Sequence, residues 1–165
     1  MTLLRTRRVL LVPAAAVALL SSGAGIGWAV GSSDPVPVVV VREPLAQADA
    51  PKGAADRTLG LSRVTVMPGA QLASHHHPGT QIARVTNGTL TYSVETGSVK
   101  VLRGPSDDPT LVRRIGAGET GKVRTGQWIV EQPSEVHHAA NRGTEPVVIY
   151  LATLFPTGAP ASIPN

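Results

Sequence analysis

All five histidines of the chain fall in two places, His75-His76-His77 and His137-His138. Neutral imidazole is a common ligand for transition metals and also the side chain that titrates nearest neutral pH. On an extended strand successive side chains alternate between faces, so His75 and His77 point one way and His76 the other. Gln81, four residues beyond His77, has the same parity. The segment therefore offers two imidazoles and an amide oxygen to one side of a sheet, and His137 could supply the next ligand. This pattern predicts a metal site of His75, His77, Gln81 and His137. His76 and His138, on the opposite parity to their neighbours, are expected to be surface or supporting residues.

Three imidazoles suit a borderline divalent ion such as iron, manganese, nickel, copper or zinc, and not calcium or magnesium, which prefer oxygen. They also leave positions open for water, dioxygen or substrate. If Gln81 is not itself a ligand, it is expected to hold a bound water or orient a histidine. Tyr92 reads as a core or rim residue, with a proton-donor role as the sharper alternative. Glu131, Glu135 and Arg84 read as ordinary strand or loop charges, and no catalytic acid or base is assigned.

The elements that must position these residues are strands. Val38 to Arg42, Leu59 to Met67, Gln81 to Thr86, Thr89 to Thr96, Ser98 to Leu102, Leu111 to Ile115, Trp128 to Val130, His137 to Asn141 and Val147 to Leu154 are short β-type runs. Turn residues separate them, and Asn87-Gly88 predicts a tight hairpin. No 3.6-residue apolar period follows the first thirty residues. Many short strands at close spacing predict an all-β sandwich or barrel. Residues 156–165, with three prolines, are expected to be irregular, draped over the barrel or used at an interface.

With spacing fixed, the first segment reads Gly69, His75, His77, Gln81, Gly88, and the second Gly126, Gln132, Ser134, His137, Asn141. This arrangement resembles the two motifs of the cupin superfamily, over roughly residues 36–165. Gln81 stands where the family usually has a glutamate ligand, Gln132 where it has proline and Ser134 where it has glycine. The resemblance implies a single-domain double-stranded β-helix, or jelly roll, with a metal inside its mouth. Losing the glutamate would leave a more cationic site, favouring an anionic or bidentate oxygen ligand. The resemblance also implies homodimerisation, with Val38 to Val41 as the strand exchanged.

Composition narrows the function classes. The net charge is +4, but Arg5, Arg7 and Arg8 lie at the start, and the chain from residue 31 holds twelve Lys/Arg against eleven Asp/Glu. That near-neutral remainder, with scattered charges and few aromatics, argues against nucleic acid as a partner. The absence of cysteine excludes disulfides, thiolate ligands and a cysteine nucleophile. Residues 1–30 read as a hydrophobic export signal or signal-anchor helix: the arginines precede the 22 uncharged residues Val9 to Val30, enough to span a bilayer if uncleaved. A linker at 31–35, a barrel at 36–155 and a tail at 156–165 complete the expected organisation. The expected location is extracytoplasmic, secreted or anchored by residues 9–30, with membrane contact only through that segment. The expected function is metal-dependent, dioxygenase-like oxidation of a small organic substrate. The alternative is a non-catalytic module that binds a small molecule or a metal.

Overall fold

The computed structural model describes residues 39–165. The export or anchor segment, the linker and Val38 lie outside the described residues. Among the described residues there are twelve strands and no helix. In chain order they are β1 (Val40–Asp49), β2 (Arg57–Val66), β3 (Gln71–His76), β4 (Thr80–Asn87), β5 (Thr89–Thr96) and β6 (Ser98–Arg103). Then follow β7 (Thr110–Gly116), β8 (Thr120–Arg124), β9 (Gln127–Glu131), β10 (Val136–Ala140), β11 (Val147–Pro156) and β12 (Ile163–Pro164).

They form two antiparallel sheets, one in the order β1-β2-β11-β4-β9-β6-β7 and one in the order β12-β3-β10-β5-β8. The expected all-β jelly roll is present. Alternation decides which face each strand buries. Ala83 and Val85 of β4 and Ile129 of β9 face inward from the larger sheet, while Ile82 and Arg84 face out. Leu90, Tyr92 and Val94 of β5 and Ala139 of β10 meet them from the smaller one. Valine dominates this interior, as a half-buried pleated surface favours.

Three expectations need correction. Asn87-Gly88 does not close a hairpin, because β4 belongs to the larger sheet and β5 to the smaller. It is a corner between sheets. Gly88 adopts φ 78°, and a Cβ there would lie 2.9 Å from the Pro146 carbonyl, to which Asn87 Nδ2 donates at 2.7 Å. The same residue types that make a two-residue hairpin also make this left-handed corner. The first strand is longer than expected: β1 runs past Pro44 to Asp49, with a register shift between Pro44 and Ala46 that accommodates the proline on a sheet edge. Finally, residues 156–165 are not wholly irregular. β12 pairs with β3, setting Ile163 opposite His76 and Pro164 opposite His75.

Candidate metal centre

His75 on β3 and His137 on β10 are direct cross-strand partners. His77 follows the end of β3, in the turn that leads into β4 and Gln81. The three rings converge, with centroids 4.4 Å apart for His75–His137, 5.0 Å for His75–His77 and 5.2 Å for His77–His137. His77 and His137 are buried and His75 partly so. Tyr92 stacks on the His137 ring and Phe155 on the His77 ring.

Each ring is oriented by the same device. Nδ1 of His75 meets the Ala73 carbonyl at 2.6 Å, Nδ1 of His77 the Ala161 carbonyl at 2.9 Å, and Nδ1 of His137 the Glu135 carbonyl at 3.1 Å. A carbonyl can only accept, so each Nδ1 carries the hydrogen and donates it. In a neutral ring, Nε2 is then a bare lone pair. One ligand nitrogen from each of the three rings lies within 4.8 Å of the others. Three locked tautomers with free nitrogens close together fit a divalent transition ion, since the outer hydrogen bonds that metal-bound histidines require are already made.

Sequence reasoning missed Glu131. It is 3% exposed and stands beside the histidines: Oε1 is 3.3 Å from His137 Nε2, and Oε2 is 3.6 Å from His77 Nε2. Tyr92 donates its hydroxyl to Oε1 at 2.8 Å, and Gln81 Nε2 donates to Oε2 at 2.5 Å. The available signal was parity: Gln127, Ile129 and Glu131 alternate inward on a five-residue strand. Gln81 is also placed here, but its amide nitrogen faces the site, 3.1 Å from His77 Nε2, because an amide oxygen so near a carboxylate would be repelled. Gln81 Oε1 is buried and lacks a hydrogen-bond partner among the described residues. Glu131 also brings to the site a carboxyl group that the reading of a more cationic site leaves out.

His76 and His138 point away from the cluster, His76 pairing with Asn165 Oδ1 and His138 with the Glu95 carboxylate. Glu135 caps the backbone of Gln132, and Arg84 is exposed. One space adjoins the cluster, and a second shares Arg42 with it. A chamber of about 40 Å³, bounded by the three histidines, Gln81, Tyr92 and Glu131, has room for an ion and a water or two. A larger cleft of about 510 Å³ runs between β1, β2 and residues 155–161. Arg42 lines both.

No family model matches the sequence, and no curated protein matches it. Among solved structures, the cupin 2 domain-containing protein from Halorhodospira halophila superposes with a TM-score of 0.50 at 12% identity, covering 76% of this chain and 70% of that one. The fold is the cupin double-stranded β-helix. A conserved protein of unknown function from Streptococcus pyogenes aligns with a TM-score of 0.48 at 17% identity, over 73% of this chain and 78% of that one. KdgF from a Halomonas species gives 0.47 at 21%, over 73% and 83%.

Inside this cupin barrel His77 and His137 are poor bases. Burial pushes His137 from 6.5 down to about 4, against the opposing pull of Glu131, and lowers His77 for the same main reason. Burial, then the Glu131 charge, holds the Tyr92 phenol protonated well above its usual range. The sign for stability follows. Between pH 6.5 and about 4 the unfolded chain binds a proton at His137 that the folded chain excludes. Metal-free stability is thus greatest above 6.5 and falls with pH through that window, by on the order of 3 kcal/mol for this group. Urea unfolding with a chelator at pH 7.5 and 4.5 measures it, and His137→Gln should make the drop visibly smaller.

Proposed function

We propose that this chain is an extracytoplasmic cupin that binds one divalent transition ion through His75, His77 and His137 and uses it on a small organic substrate, in a dioxygenase-like oxidation. The observation that carries the metal reading is the set of three Nδ1–carbonyl locks, which turn Nε2 lone pairs toward one chamber. When bound, the ion would supply Lewis acidity and, if redox-active, access to dioxygen chemistry. Iron, manganese, nickel, copper and zinc all suit the donors.

The chain's own residues define what reaches that ion. The chamber is too small for an organic substrate, so the body of the molecule lies in the cleft and only its reacting group enters. Arg42 lines both spaces. It makes no ion pair among the described residues and only a 3.3 Å hydrogen bond to Ser62 Oγ, which leaves donors for a carboxylate or similar anion. Tyr92, held protonated, keeps Glu131 in place and is available as a proton donor. The extracytoplasmic location is supported by the pattern of residues 1–30. A homodimer through β1 is supported by its place at the sheet edge, exposed along its whole length.

The same small chamber favours a second reading, a module that captures a metal or ligand without turnover. Metal analysis of untagged protein, followed by oxygen-uptake assays with small carboxylic acids, separates them. Near-stoichiometric iron, manganese, nickel or copper with metal-dependent oxygen consumption supports the enzyme. Saturable binding of an acid or metal without consumption supports the module. Protein that neither carries nor takes up metal would rule out both metal-based readings.

A further inference from the structure

We infer that Glu131 supplies the negative charge of the metal site, standing in for the carboxylate that position 81 lacks. The inference rests on the metal-binding reading above. Gln81 and Glu131 are directly opposed in the β4–β9 ladder, and both face inward. Moving a carboxylate from one to the other therefore keeps it in the same chamber while changing the strand that carries it.

The contacts around Glu131 suit a cation beside it, in addition to the Arg42 guanidinium that lines the same chamber. Its carboxylate is almost fully buried, which is costly unless the charge is met. Tyr92 and Gln81 each give it one hydrogen. Its remaining neighbours are Nε2 of His137 at 3.3 Å and Nε2 of His77 at 3.6 Å. Those nitrogens carry no hydrogen, because the ring hydrogens are committed at Nδ1 to Glu135 and Ala161. His77 Nε2 already accepts from the Gln81 amide, but His137 Nε2 and Glu131 Oε1 face each other as acceptors, and a positive charge between them converts repulsion into attraction. Donors about 2.1 Å from a shared ion sit about 3.0 to 3.4 Å apart, as Glu131 Oε1 and His137 Nε2 do at 3.3 Å, while Oε2 and His77 Nε2 are farther apart at 3.6 Å.

Gln81 takes a different part in this arrangement. Without metal its amide ties Glu131 Oε2 to His77 Nε2; an ion that takes the His77 lone pair would displace the second contact and keep the first. If Glu131 becomes an amide, Gln81 can turn its unpartnered Oε1 toward the new NH2 group, so Glu131→Gln is expected to fold.

The test is the affinity of the untagged full chain for Zn2+ alone, measured by chelator competition, with Co2+ visible spectra as a second readout. Wild type is compared with Glu131→Gln, the exchange variant Gln81→Glu/Glu131→Gln, and His77→Ala. Thermal melts in chelator verify that each is folded. The expected result is about a 10- to 100-fold weaker Glu131→Gln with an altered Co2+ spectrum, and recovery to within about threefold of wild type in the exchange variant. Unchanged affinity in Glu131→Gln, with His77→Ala unable to bind, would overturn this inference and leave the metal reading standing. An exchange variant no tighter than Glu131→Gln would also overturn it, since the loss would then follow shape and not charge. Wild type that binds neither ion would overturn both.

Discussion

His137→Ala is expected to weaken metal binding about a hundredfold while leaving a folded barrel. Structural zinc in zinc-finger peptides is worth about 10 to 16 kcal/mol in all; on that scale one ligand of four, with Glu131 as the fourth, accounts for about 3 kcal/mol, or about a hundredfold in affinity. The metal-free protein should change much less. Alanine forfeits the stacking of the ring on Tyr92 and its contact with His75. It also removes a lone pair that faces the Glu131 carboxylate, and that relief offsets part of the loss. A net change below about 2 kcal/mol is expected, less than a large buried side chain normally costs. Thermal melts with and without Zn2+ read both quantities. In wild type the melting temperature should rise with metal concentration by mass action. In the variant the same rise should need about a hundredfold more metal. An undiminished rise would mean that His137 is not a ligand.

Asn141→Ala should do the reverse, with a severe cost in stability and an intact site. Asn141 is 1% exposed. Its Nδ2 donates to the carbonyls of Val66 and Glu145, both at 2.8 Å, and its Oδ1 accepts from the Gly143 amide at 2.9 Å. These bonds tie the end of β2 to the turn between β10 and β11. Deleting the side chain loses three hydrogen bonds and leaves a buried carbonyl at Val66 without this donor, together about 3 to 5 kcal/mol. Well below its melting temperature the variant should still bind metal with near wild-type affinity, because Asn141 touches none of the three histidines. Denaturant midpoints and metal titrations on the same preparation distinguish this structural role from a chemical one.

How far the sequence is informative depends on which interaction sets each feature. The strands were legible because alternation of valine, leucine and isoleucine with polar residues is itself the cause of burial on one face. The histidine cluster was legible from spacing but not from parity on one sheet: His75 lies on β3 of the smaller sheet, His77 in the turn after it and Gln81 on β4 of the larger. Asn87-Gly88 was misleading because a left-handed glycine serves a hairpin and an inter-sheet corner equally well, and only the distant pairing of β4 with β9 and β11 chooses between them. Glu131 was illegible as a site residue because its importance lies in its cross-strand partner. A charge at an inward position is anomalous alone, but its meaning appears once register sets it against Gln81. Arg42 depended on β1 adding to the edge of β2, a contact between segments that share no motif.

The Ala161 carbonyl that fixes His77 has a kinetic consequence. The two residues are separated by 84 positions, and His75 meets His137 across a similarly long interval. Contacts between such distant segments form late, since closing long loops precedes any gain from the contact itself. The ligand nitrogens therefore reach their final orientation only when β10 and residues 156–161 have docked. An ion captured by this geometry would have little to grip in the folding transition state and much in the finished barrel. It should slow unfolding far more than it speeds folding, acting as a latch on a completed structure.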